Sequence, residues 1–352
     1  MIPKAEIHCH IEGAADPDIV VRQARKYNVD VSDIIQNGVF VWNGFSEFLK
    51  CFDGAAALFR TSEDYALLAE TYLTQLAEGG CIYSEIFIST DHARMIGISE
   101  RDYIDGLAEG ITQARRKHGI EARMIATGLR HEGPESVLRA ATYIAQNPHP
   151  LVTGFGMGGD ERMHHPKDLS PGFDVARKAG LSITTHAGEF GGADSVRDSL
   201  TYLKPSRIGH GVRAIEDPEL VQVLADQQIV LECCPGSNIA LSVYNDFSEH
   251  PFMALREAGV LVTLNSDDPP HFHTSLAREY EIGATEFGLT EADLREITRT
   301  ALNAAFVDEE TRALVSYDGE KVPAQLAASP SAPDAEAAED PVEEVTGGGP
   351  KK

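Results

Sequence analysis

Eight short runs rich in apolar and β-branched residues recur along the chain, each followed by an amphipathic stretch. They cover residues 5–10, 81–88, 121–128, 151–155, 181–186, 207–211, 229–234 and 261–267. Gly119, Gly180 and Gly259 each stand just before a run, where a helix ends and passes into a strand. Strand–helix alternation eight times over predicts a TIM-type (β/α)8 barrel, an α/β fold whose active groups gather at the C-terminal ends of several strands. A doubly wound open sheet is the competing fold. It would carry G-x-G-x-x-G after its first strand, and here that strand ends in His8-Cys9-His10 instead. With 352 residues, 42% of them hydrophobic, one large core is affordable, and the barrel domain is expected to span 1–323.

Two regions fall outside the repeat. The segment between the first two strands is far longer than one crossover helix needs, and it places Phe45, Phe48, Leu49 and Phe52 at i, i+3, i+4 and i+7. That spacing makes one helical face, either packed on the barrel exterior or forming a helical lid over the site. Residues 324–352 are rich in Ala, Pro, Glu, Asp and Gly and hold no aromatic side chain, so a disordered acidic tail is expected.

The charge excludes whole classes of partner. With 55 acidic against 30 basic side chains the formal net charge is −25, which repels nucleic acid and anionic membrane surfaces. No stretch approaches 18 consecutive apolar residues, and Met1-Ile2-Pro3-Lys4 runs into the first strand without a secretory core, so a cytoplasmic protein is expected. The cysteines Cys9, Cys51, Cys81, Cys233 and Cys234 are odd in number and lack C-x-x-C spacing, which argues against disulfides and a thiolate zinc site. Cys9 lies between two histidines, and the period of two turns its thiol away from them.

Chemistry concentrates at strand ends. His8 and His10, two apart on a strand, face the same side and can share one ion. Alone such a pair is more often surface or core. A catalytic zinc needs three or four protein ligands, and His186 and Asp267 end the fifth and eighth runs to supply the rest. Zinc suits three imidazoles and a carboxylate best, with iron, cobalt or manganese as other fits. Glu189, three residues beyond His186, suits a carboxylic acid kept protonated by burial. His210, in Arg-Ile-Gly-His-Gly, suits a group that takes the proton of the attacking water, and Asp268 one that meets a substrate N–H. The bland readings are helix caps for Glu189 and Asp268 and a core histidine for His210. His164-His165 and His271-x-His273 could in principle add a second metal. The lysine that commonly bridges two metals is absent from 151–157 and 181–186, so one metal per chain is expected.

These residues carry a resemblance. Over residues 3 to 315 the chain resembles the adenosine deaminase family, in Pro-Lys-Ala-Glu-Ile-His-Cys-His-Ile-Glu-Gly (3–13), Gly159-Asp160-Glu161, His-Ala-Gly-Glu (186–189), Gly-His-Gly (209–211), Cys-Pro-x-Ser-Asn (234–238) and Ser-Asp-Asp-Pro (266–269). The resemblance implies a β/α barrel, one zinc held by His8, His10, His186 and Asp267, and hydrolytic removal of a purine 6-amino group in purine salvage. It further implies Glu189 donating to N1, His210 orienting the attacking oxygen, Asp268 on N7, the Gly159 N–H on N3, and Phe45, Phe48, Leu49 and Phe52 as a lid. His10 and Glu12 are placed beside the substrate. Deaminases of another fold use His-x-Glu with Pro-Cys-x-x-Cys, which is absent here.

Three departures bear on substrate. Glu12 stands where the resemblance to adenosine deaminases implies an Asp that contacts ribose, and branches acting on adenine often have Glu. Phe87 replaces an arginine and Thr90 a proline. Gly159-Asp160-Glu161 resembles the adenosine branch, since adenine deaminases tend to Ser-Ser-Glu. The main expectation is therefore a purine nucleoside, adenosine or 2′-deoxyadenosine. The alternatives are free adenine or another adenine-bearing nucleoside such as aminodeoxyfutalosine. From other classes, a catalytically inactive adenosine-binding protein and a two-metal hydrolase of phosphoesters or lactams are opposed by the intact Glu189 and the missing lysine.

Overall fold

The computed structural model describes residues 2–315. The tail expected at 324–352 and the last residues of the expected barrel domain lie outside them. Eight parallel strands form the core: β1 (Lys4–Glu6), β2 (Cys81–Ile88), β3 (Glu121–Leu129), β4 (Val152–Gly158), β5 in two pieces (Ser182–Ile183 and His186–Ala187), β6 (Arg207–His210), β7 (Val230–Cys233) and β8 (Leu261–Leu264). One sheet runs β1 to β5 in sequence order, and the other runs β5 to β8 from the second piece of β5. Thr184 and Thr185 carry the wall across the gap, Thr184 N donating to Phe155 O at 3.1 Å and Thr185 O accepting from Gly209 N at 2.8 Å.

The ring closes at the mouth, just beyond β1. Cys9 bridges Asp267 and His10 bridges Phe87, both parallel. His10 N donates to Asp267 O at 3.0 Å, Asp267 N to His8 O at 3.2 Å, and Phe87 N to Cys9 O at 2.7 Å. The eight predicted runs are thus the eight strands, and the differences lie at their ends. β1 and β8 leave the ladder early because residues 8–10 and 265–268 are re-aimed into the mouth, whereas β4 runs three residues further than predicted, to Gly158. All five cysteines are buried free thiols, and that of Cys9 lies against Tyr72 and donates to the backbone carbonyl of His10 at 3.7 Å, not to the rings of His8 and His10.

Between β1 and β2 lie α1 (Pro17–Tyr27), a small hairpin (Ile35–Gln36 with Val39–Phe40), α2 (Phe45–Ala56) and α3 (Ser62–Glu78). α3 starts on a reciprocal capping box, Thr61 with Asp64. After β2 come α4 (Thr90–Ile96) and α5 (Glu100–His118), which packs on α3 at glycine contacts. A Cβ at Gly106 would lie 2.3 Å from Ser62 O and one at Gly110 2.3 Å from Ala66 O. Among the described residues no helix is long and apolar enough to cross a membrane.

The barrel interior is not purely apolar. Arg207, 1% exposed, sets Nη2 2.6 Å from Glu85 Oε2 and Nε 2.7 Å from Glu232 Oε1, and its guanidinium carbon lies 3.5 Å from the centre of the Phe306 ring. Burial alone would raise the Glu232 carboxyl, but Arg207 and His8 outweigh it and hold it below the ordinary carboxylate range. Arg207→Met is expected to cost about 3–5 kcal/mol of stability by urea denaturation, the usual penalty for stranding buried charges. A loss under about 1 kcal/mol would show that the two carboxylates are neutralised in some other way.

Candidate active site

The strand ends place four side chains around one point. His8 Nδ1 donates to Glu232 Oε2 at 2.7 Å, and His186 Nδ1 donates to the carbonyl of Met157 at 2.7 Å. With Nδ1 carrying the proton, each neutral ring turns an Nε2 lone pair inward. His10 Nε2 lies 3.0 Å from His186 Nε2. Asp267 Oδ1 is 3.4 Å from His8 Nε2 and 3.5 Å from His10 Nε2, and its Oδ2 accepts from Ser237 Oγ at 2.7 Å.

This arrangement fits a divalent cation. One donor atom from each of His8, His10, His186 and Asp267 lies within 4.8 Å of the others, and His8 Nε2 is a buried atom without a hydrogen-bond partner. Burial pushes His10 well below the ordinary histidine value and His186 down to about 4, so both rings are neutral ligands at neutral pH. Burial would lower His8 too, yet the nearby carboxylates of Asp267 and Glu232 raise it to about 9, so a cation entering between them would displace a proton from Nε2. A second possible set, His8, His210, Cys234 and Asp267, shares two of the same residues. Among the described residues no separate metal cluster exists. His165 caps the helix Pro166–Lys178 and pairs with Asp198 at 2.9 Å, and His271 stacks on Phe40 at 3.9 Å.

The acid–base candidates share this mouth. His210 Nε2 stands 3.8 Å from Glu189 Oε1 and 3.9 Å from Asp267 Oδ2. Burial, reinforced by Asp267 and Glu161, pushes Glu189 well above the ordinary carboxylate range, which favours its protonated form. Its turn is held by Glu161, which accepts from the backbone N–H groups of Gly188, Glu189, Phe190 and Gly191 at 2.5 to 3.0 Å and from Ser195 Oγ. Asp268 is likewise pushed well up by burial, then by Asp267 and Glu189, and its Oδ1 is buried without a partner. Gly13 is required beside it, since a Cβ there would sit 1.7 Å from that oxygen. His210 and Asp267 both hold left-handed backbone, at φ 60° and 63°. Such residues cost about 1–3 kcal/mol each and persist where neighbouring contacts over-determine them.

A cavity of about 120 Å³ opens over these groups and is bordered by every residue predicted to meet a substrate, His10, Glu12, Phe45, Phe48, Leu49, Phe52, Gly159 and Asp268. A larger hollow of about 940 Å³ at the opposite end of the barrel, among Val152, Ser182 and Val230, gathers no comparable group. The α2 stripe faces the cavity, with Phe45 4.9 Å from the Phe190 ring and Phe48 5.0 Å from Phe272. Phe87 walls the ligands at 4.7 Å from the His8 ring and 5.1 Å from the His10 ring. Glu12, 2% exposed, accepts from Tyr103 Oη of α5 at 2.5 Å, and burial pushes its carboxyl up to about 7.

Sequence reasoning did not find Glu232, Tyr103 or His250, and it carried Ser237 only as part of Cys-Pro-x-Ser-Asn, with no role. Glu232 left a mark, a carboxylate inside the apolar run 229–234. Replacing His8, His10, His186 or Asp267 by Ala is expected to remove the bound metal, measured by atomic emission on purified protein. Full occupancy in two or more of these variants would place the ion elsewhere.

Comparison with known proteins agrees with this geometry. The family model described as Adenosine deaminase matches residues 3–317. An adenine deaminase of Chelativorans sp. (strain BNC1) is 61% identical over 313 residues, covering 89% of this chain and 96% of that protein. One of Sinorhizobium medicae (strain WSM419) is 58% identical over 311 residues, covering 88% and 96%. Among solved structures, an adenine deaminase from Arthrobacter aurescens superposes with a TM-score of 0.83 at 24% identity, covering 89% and 97%, a likeness of fold. A cog1816 amidohydrolase from Burkhoderia ambifaria with bound Zn gives 0.81 at 26%, covering 89% and 88%. The ring of eight strands, the converging imidazoles and a match over nearly the whole described chain have one explanation: this chain belongs to the adenosine deaminase family.

Proposed function

We propose that the chain is a zinc-dependent hydrolase that removes the 6-amino group of free adenine as ammonia, leaving hypoxanthine. The observation that carries the chemistry is Glu189, its carboxyl pushed well up by burial, sharing a cavity with the candidate ligands His10, His186 and Asp267. An inactive adenosine-binding protein has no use for a buried acid at that point. Three imidazoles and one carboxylate favour zinc, the metal in the Burkhoderia structure.

Substrate selection departs from the expectation of adenosine. The relatives of 55–61% identity carry the name adenine deaminase, and Glu12 supplies a physical reason. Its carboxyl borders the cavity and accepts from Tyr103, and being one methylene longer than Asp it would take up space that an Asp leaves to a ribose. The Gly159-Asp160-Glu161 loop, which pointed to adenosine, bears on catalysis rather than on the sugar, because Glu161 is spent on the turn carrying Glu189. AMP is disfavoured by the acidic charge and the lack of a phosphate loop.

Attack at C6 destroys aromaticity, so both ends of the developing tetrahedral carbon need stabilising. When bound, zinc supplies a Lewis acid that acidifies the attacking water. Glu189 gives its proton to N1, regains one from the attacking water as that oxygen adds to C6, and relays the remaining hydroxyl proton to the amino group, which leaves as ammonia. Asp268, its carboxyl pushed well up by burial and its Oδ1 unpartnered, faces N7, and the Gly159 N–H meets N3. His210 holds the attacking oxygen through Nε2. α2 acts as a lid whose phenylalanines exclude water.

Glu189→Gln is expected to keep zinc and lose on the order of 10²–10⁴-fold in kcat, since an amide cannot transfer the proton. Near wild-type turnover would remove the acid role. The wild type is expected to prefer adenine over adenosine in kcat/KM by about tenfold or more, the scale of one or two kcal/mol of pocket fit. Glu12→Asp should shift that ratio towards adenosine. A wild type preferring adenosine would return the assignment to the nucleoside.

A further inference from the structure

We infer that His250 and Asn238 fix the tautomer of His210, so that His210 meets the reacting oxygen as an N–H donor and not as a base. The inference rests on the reading of His210 as a substrate-side group in the proposed function. It starts from a proton that cannot move. The backbone N–H of Phe252 donates to His250 Nδ1 at 3.2 Å. A ring that accepts at Nδ1 carries its proton on Nε2 when neutral. Burial holds His250 down to about 4, which keeps it neutral at working pH.

His250 Nε2 lies 3.1 Å from Asn238, so the Asn238 atom facing it is the carbonyl oxygen. The amide NH2 of Asn238 is thereby turned to His210 Nδ1 at 3.3 Å. His210 accepts at Nδ1, which leaves the proton on Nε2, the nitrogen facing Glu189 and Asp267. No freely rotating hydroxyl interrupts the relay. His210 is 1% exposed, Asn238 0%, His250 6% and Phe252 0%, and the rings of Tyr244 and Phe287 pack on His250 at 5.2 and 5.6 Å.

The consequence revises the expectation that His210 takes the proton of the attacking water. In its neutral resting form Nε2 is already protonated, and the ring serves that oxygen as a hydrogen-bond donor. Asn238 and its neighbour Ser237, which donates to Asp267, sit on the same short helix, Pro235–Ala240, so one turn sets both a metal ligand and the tautomer opposite it. Asn238 and His250 are positioning residues.

The test is long-range ¹H–¹⁵N NMR on the metal-loaded full chain with ¹⁵N-labelled histidine, His210 being assigned by its loss in His210→Gln. The wild type should show a pyridine-type Nδ1 and a pyrrole-type Nε2. His250→Phe removes the anchor, and a population with the proton on Nδ1 should appear. His250→Gln offers an N–H where Nε2 stood and should restore the wild-type pattern. kcat should fall about 10–100-fold in the Phe variant, the range for outer hydrogen-bond partners, with metal content retained and KM changed little. Should His250→Phe not fold, Asn238→Asp presents only acceptors to Nδ1 and should invert the tautomer. A wild-type His210 protonated on Nδ1, or a tautomer unmoved by His250→Phe or Asn238→Asp, would overturn the inference. Glu189→Gln turnover and zinc content test the underlying function independently of these spectra.

Discussion

The site depends on one buried guanidinium. Arg207 draws Glu85 and Glu232 to the barrel axis, and Glu232 passes that constraint to His8 Nδ1. Desolvating three charged side chains is costly, and the cost is recovered only because each polar atom in the column finds a partner. Tyr83 Oη donates to Glu85 at 2.7 Å, Thr184 Oγ1 to Glu232 at 2.8 Å, and Arg207 Nη1 to Ala304 O at 2.9 Å. The orientation of a metal ligand at the mouth is thus fixed by an ion pair deeper in the core.

The same device recurs around the mouth. Glu6 accepts from the N–H and hydroxyl of Ser266, immediately before Asp267, and from Tyr72 Oη. Glu279 accepts from Gly236 N beside Ser237, and Glu161 binds the turn of Glu189. The turns that carry Ser266, Gly236 and Glu189 are each tied by a buried carboxylate from another part of the chain. Such ties hold side chains in the geometry that catalysis requires without demanding regular secondary structure at the point of use.

The convergence of the four candidate ligands was legible because each mark is local: His8 and His10 share a face by period alone, and His186 and Asp267 each end an apolar run. Strand existence was legible for the same reason. Strand ends were not, since β1, β5 and β8 give up ladder pairing where side chains are re-aimed inward, a tertiary effect with no signature in apolar periodicity. Substrate preference was the least legible. The position of Glu12 depends on a hydroxyl 91 residues away on α5, and α5 sits where it does because glycines let it approach α3. The asparagine of Cys-Pro-x-Ser-Asn was visible as a motif, but its orientation is decided by His250, in a loop that no motif marks.

The seam between β1 and β8 has a thermodynamic consequence. The backbone bonds that close the ring, His10 to Asp267 and Asp267 to His8, belong to residues whose side chains form the candidate metal site. For an ion held there, mouth closure and metal capture are one equilibrium. An ion bound only by the closed ring stabilises that ring by mass action, about 4 kcal/mol at a thousandfold excess over its dissociation constant. The reciprocal holds as well: strain that opens the seam, even from the far side of the barrel, raises the dissociation constant of the metal by the same free energy.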